Sequence, residues 1–97
     1  MTSTITKEKL AKYFDVTGRA LKKVKIDPTC KIPNAKKHAE DFLDMAQLYF
    51  SDAKHFEKKG EIVTAFAALN YAHGWLDAGA RIGLFDVDHD SELFTVD

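Results

Sequence analysis

Residues 35–83 read AKKHAEDFLDMAQLYFSDAKHFEKKGEIVTAFAALNYAHGWLDAGARIG, and this stretch decides the fold. Ala35, Ala39, Phe42, Ala46, Tyr49, Ala53 and Phe56 recur at alternating steps of four and three. That is a heptad-like seam on a helix of residues 35–59, about 37 Å long. Leu43 and Phe50 widen the seam into a core-facing stripe, and its alanines let a neighbouring helix come close. Gly60 suits the left-handed position that closes a helix. A third helix, 61–83, starts at once, and so short a turn forces an antiparallel hairpin.

Upstream, Leu10, Tyr13, Phe14, Thr17, Ala20, Leu21 and Val24 repeat at the helical period and define helix 1 over residues 7–25. Thr6 is placed to cap it, and Ile5 and Leu10 are spaced for a hydrophobic staple. Asp27-Pro28 ends this helix, and Asn34 or Pro33 opens the second. Downstream, Phe85-Asp86-Val87-Asp88 alternates apolar and acidic residues. The tail, 84–97, is expected to lie extended, with Phe85, Val87, Leu93, Phe94 and Val96 packed on the helices. The expected fold is therefore one all-α domain over residues 1–97. It is a three-helix bundle with a long antiparallel helix 2–helix 3 hairpin and an extended acidic C-terminal tail.

The 97 residues are 45% hydrophobic and 30% charged, too apolar for a disordered chain. One cysteine, Cys30, cannot build a disulfide scaffold, and with the plain start Met1-Thr2-Ser3-Thr4 it points to the cytoplasm. The formal net charge is −1, yet residues 1–37 hold ten Lys and Arg against three acids, and residues 38–97 hold four against twelve. Two halves so unlike in charge attract each other, within a chain or between chains. The basic half, with Lys22, Lys23, Lys25, Lys31, Lys36 and Lys37 around the first loop, is also a surface for RNA or DNA. No Gly-rich phosphate loop accompanies these lysines.

Helix 3 carries the sharpest functional signals. On a helical wheel one apolar face gathers Ile62, Ala65, Leu69, Ala72, Leu76 and Ala80. A second, nearly opposite, gathers Ala68, Tyr71, Trp75, Ala78 and Ile82. Between them runs a polar stripe of Asn70, His73, Asp77 and Arg81. His73, Asp77 and Arg81 follow one another at i, i+4, so their side chains can touch. Such a stripe can bind a small anion or a base, with Arg81 supplying charge and Asp77 orienting His73. The same spacing also gives an intrahelical Asp77–Arg81 pair with His73 donating to Asp77. Tyr71, Trp75 and Ile82 form a candidate interface.

No cofactor and no metal site is expected. Asp86, Asp88, Asp90 and Glu92 begin like a calcium loop, but Ser91 stands where that loop needs Gly, and Asp97 where it needs Glu. His38, His55, His73 and His89 have no zinc spacing with Cys30.

The stretch Tyr71-Ala-His-Gly-Trp-Leu-Asp-Ala-Gly79, followed by Arg81-Ile-Gly-Leu84, resembles the signature of an archaeal family named domain of unknown function 357. The pattern Ala39-Glu-Asp-Phe-Leu…Ala46…Tyr49…Asp52-Ala53…Phe56…Gly60…Ala65 is similar to it too, as is Lys12-Tyr13…Ala20-Leu21. The resemblance covers roughly residues 7–85 and implies a short three-helix bundle. It supplies no activity, substrate or cofactor, and so no functional residues.

Three functions from different classes follow. The first is a non-catalytic interaction module, partnered by another protein or by a second copy, using Tyr71, Trp75 and Ile82. The second is a small-ligand or nucleotide-binding protein, with or without enzyme activity, centred on Asn70, His73, Asp77 and Arg81. The third is nucleic-acid binding through the first-loop lysines. No membrane partner is expected, because the longest stretch free of Asp, Glu, Lys and Arg, Ile62 to Leu76, is too short to span a bilayer.

Overall fold

A computed structural model describes residues 4–95. Three helices, α1 (Lys7–Lys23), α2 (Ala35–Lys58) and α3 (Ile62–Arg81), make an all-α bundle. It measures 44 × 24 × 21 Å, its length set by α2. α2 and α3 pack along one another as an antiparallel hairpin, and α1 lies across one side, mainly against α3. Two short strands, β1 (Lys25–Ile26) and β2 (Phe85–Asp86), pair antiparallel and tie the exit of α1 to the exit of α3.

The seam alanines explain the hairpin. Ala39, Ala46 and Ala53 of α2 and Ala65 and Ala72 of α3 are wholly buried. Small side chains there bring the helix axes close, and the larger residues beside them fill the space above. Gly60 turns the chain at φ +77°, a left-handed conformation that other residues adopt only with strain. The core has two ends. Towards the α2–α3 turn, Leu10 and Leu69 pack with Tyr13, Phe14, Phe50 and Phe66. At the other end, Ala20 and Leu76 pack with Leu84, Phe85, Val87, Leu93 and Phe94. The tail is thus a structural part of the bundle, and Val96 lies outside the described residues.

Thr6 caps α1 as its position implies, its hydroxyl accepting from the Lys9 amide at 3.1 Å. Asn34 holds the N-cap place of α2 in a left-handed conformation (φ 58°) and makes no side-chain cap bond. Two helix ends fall two residues earlier than the periodicity alone implies. α1 stops at Lys23, because Val24 turns extended to enter β1. α3 stops at Arg81, because Gly83 takes φ +86° and sends Leu84 back, its amide donating to the Gly79 carbonyl. The tail is extended only at Phe85–Asp86 and then curls. Its acids build the turns: Asp86 Oδ1 accepts from the Asp88 amide, and Asp90 Oδ1 from those of Glu92 and Leu93. Aspartates that satisfy backbone N–H groups two or three residues on are turn residues. Asp27 does the same before α2, accepting from the Thr29 amide and hydroxyl, and these two bonds hold its carboxyl below the ordinary carboxylate value.

Candidate functional site

The polar stripe of α3 is divided. His73 and Asp77 turn towards the tail and are mostly covered, while Asn70 and Arg81 are exposed. His73 Nε2 donates to the Leu93 carbonyl at 2.6 Å. A carbonyl only accepts, so this nitrogen carries the proton, and in the neutral ring Nδ1 accepts from the Thr17 hydroxyl at 3.2 Å. Thr17 is the buried polar residue of α1, 3% exposed, which accounts for a hydroxyl in an apolar stripe. Asp77 Oδ1 accepts from the Thr95 amide at 2.9 Å and lies 3.8 Å from His73 Nε2. The ring of Phe94 leans on the His73 ring, with centroids 6.2 Å apart. His73 and Asp77 therefore clamp the tail to the bundle.

Among the described residues Arg81 makes no ion pair. It lies beside a cleft with Asp27, Asp86, Asp88 and His89. The Asp77–Arg81 pair that the spacing allows is not formed; Asp77 contacts His73 and Thr95 instead. Asn70, His73 and Asp77 do share a cleft of about 410 Å³ with Lys12, Tyr13 and Thr17, from which Arg81 is absent. Both His73 nitrogens and one Asp77 oxygen are occupied by the chain itself, so a ligand there would meet few groups still to be satisfied.

The second apolar face of α3 has a different fate. Ala68 turns inward and is 7% exposed, whereas Tyr71 and Ile82 are 63% and 51% exposed. Trp75 is half-buried, edge-on to Phe42 of α2 with centroids 4.9 Å apart. Tyr71 stacks on Tyr49 of α2 at 5.2 Å. A groove of about 590 Å³ runs over this surface, lined by Tyr49, Ala67, Asn70, Tyr71, Gly74, Trp75 and Ala78. Among the described residues neither α1 nor the tail covers it. Tyr49, Ala67 and Gly74 were not legible as site residues on the wheel. The signal for Ala67 and Gly74 is their i, i+4 spacing from Tyr71 and Ala78 on α3, whereas Tyr49 joins only through the packing of α2 on α3.

The basic half stays solvated. Among the described residues its one ion pair is Arg19 with Asp15, 3.6 Å apart on the same helix. Among the described residues the attraction between the two halves of the sequence is therefore not expressed as ion pairs between them. Cys30 is a free, partly exposed thiol. Among the described residues no three His, Cys, Asp or Glu side chains gather as a metal site, and no helix is long and apolar enough to cross a membrane.

The sequence model of the family described as "Protein of unknown function (DUF357)" matches residues 12–85. The chain belongs to this family. The DUF357 match takes in most of α1, both helices of the hairpin and the turn into β2. His73 and Asp77 lie inside it; the carbonyl and amide they hold, at Leu93 and Thr95, lie beyond it. No curated protein and no solved structure matches the chain.

Proposed function

We propose that the chain is a small, non-catalytic helical interaction module. Its docking surface is the uncovered face of α3, with Tyr49 of α2 at its edge. One observation carries this reading. Of the exposed residues of α3, the only charged one is Arg81, the last. A helix face turned to water is ordinarily rich in charge, and a long apolar one marks a contact surface. Tyr71 and Trp75 are residue types that anchor such contacts. The free thiol of Cys30 fits a reducing cytoplasm.

A photo-crosslinking amino acid at Tyr71, tested in a lysate of the native cells, puts this to the test. The reading expects crosslinked protein from that position and none from the same label at Lys58, exposed at the end of α2. Equal labelling from both positions would contradict it. Nucleic-acid binding is the second reading, favoured by the solvated lysines of residues 1–37. It expects affinity for RNA or DNA that falls steeply with salt.

A further inference from the structure

We infer that the partner of this face is a second copy of the chain, docked α3 against α3 in antiparallel register about a point between Tyr71 and Gly74. The inference rests on the interaction reading above and names its partner. Six exposed residues form the outward stripe of α3 and its C-cap: Val63, Ala67, Tyr71, Gly74, Ala78 and Ile82. They fall in two rows at the i, i+4 spacing, Val63-Ala67-Tyr71 and Gly74-Ala78-Ile82. Rows of that spacing form the ridges and grooves that helices use when they pack nearly aligned, with axes about 20° apart.

The two rows are complementary to each other. In a two-fold pair, when residue i of one copy meets j of the other, j also meets i. Antiparallel docking about that point sets Tyr71 against Gly74, Ala67 against Ala78, and Val63 against Ile82. The largest side chain of the stripe meets the residue with none, the two alanines meet at close approach, and the two aliphatic ends cover each other. Val63 and Ile82 are 66% and 51% exposed in the single chain. No other antiparallel register of these six residues pairs Tyr71 with Gly74.

Gly74 gives the inference its physical basis. A glycine inside a helix is less favourable than an alanine. Among the described residues nothing requires it, because a Cβ at Gly74 would meet nothing within 4 Å. A notch that receives the Tyr71 ring of a second copy supplies the missing reason. Charge agrees with the register. Arg81 is the one Lys or Arg of α3, and Glu61 is the N-cap residue at the other end. Antiparallel docking brings each Arg81 to the end that carries Glu61 of the second copy.

Sedimentation equilibrium on the full chain, from micromolar to millimolar concentration, tests the inference together with register-specific disulfides in a Cys30→Ser background. Wild type is expected to be a reversible dimer. Gly74→Trp should raise its dissociation constant about a hundredfold, the size of a hot-spot loss, while leaving helicity and monomer stability intact. A mixture of Ala67→Cys and Ala78→Cys chains should oxidise to the mixed disulfide. Either variant alone should not crosslink, because its two cysteines would lie about 16 Å apart along the helices, beyond disulfide reach. A monomer at every concentration, a dimer indifferent to Gly74→Trp, or crosslinking of Ala67→Cys to itself would overturn the inference. If the chain is monomeric and the label at Tyr71 captures a different protein, the inference fails and the interaction reading stands. If it is monomeric and that label captures nothing, both fail.

Discussion

Gly79 and Gly74 stand five residues apart in α3 and meet opposite surroundings. Gly79 is buried, and a Cβ there would clash with the edge of the Phe85 ring. Gly74 is exposed, and a Cβ there would touch nothing. The first glycine is a packing requirement, by which the chain brings its own tail onto the helix. The second meets no requirement within the chain. The contrast extends to their neighbours: His73 and Asp77 bind the returning tail, while Tyr71 stacks on Tyr49 and Ala67 and Ala78 are exposed. One side of α3 is filled by the chain, and the other is left open.

Removing what the finished side holds should have the largest effect. Phe85→Ala empties a site that is 3% exposed, and urea unfolding should show a loss of about 3–5 kcal/mol. A loss under 1 kcal/mol would mean that the tail contributes little to the core. His73→Ala strands the Leu93 carbonyl and the Thr17 hydroxyl, for an expected loss of about 1–3 kcal/mol. Hydrogen exchange should speed up at Phe94, whose amide donates to the Asp90 carbonyl. Unchanged exchange there would show that the tail stays down without its clamp. Asp77→Ala takes the acceptor of the exposed Thr95 amide and the carboxylate 3.8 Å from His73 Nε2, and about 0.5–1 kcal/mol is expected.

The smallest effect is one of pH. Asp27 has a carboxyl pKa lowered by the Thr29 hydroxyl and amide, so the folded state favours its charged form. The sign follows from linkage: this contribution is complete above the unfolded-state value and disappears as pH falls through the lowered folded-state value, below 3.8. A carbon-13 titration of the Asp27 carboxyl should show a midpoint below the ordinary aspartate value of 3.8; a midpoint at or above it would contradict the turn geometry.

The bundle was legible because its information is local and periodic. The alanines of α2 fall on one face by spacing alone, and Gly60 marks the turn between the two long helices. The tail's apolar residues were legible as packing residues, but its turns were not. Asp86 and Asp90 look like a charge pattern until their backbone partners are seen. The stripe of His73 and Asp77 was legible as a constellation, yet its purpose lay in a carbonyl and an amide about twenty residues away, and main-chain groups leave no mark in a sequence. Thr17, 56 residues from His73, is joined to it only by the packing of α1 on α3. The wheel placed Tyr71, Trp75 and Ile82 on a second face correctly in direction, but it could not tell Ala68, which the core claims, from Ala67, which it does not.

The most direct test of the contrast between the two sides is the unfolding free energy of Gly79→Ala and Gly74→Ala, measured side by side at a dilution where the chain is monomeric. Gly79→Ala should destabilise by about 1–3 kcal/mol through overpacking against Phe85. Gly74→Ala should stabilise by about 0.5–1 kcal/mol through helix propensity. Opposite signs are the predicted result; two losses, or two gains, would contradict the claim that one side of α3 is filled by the chain and the other is left open.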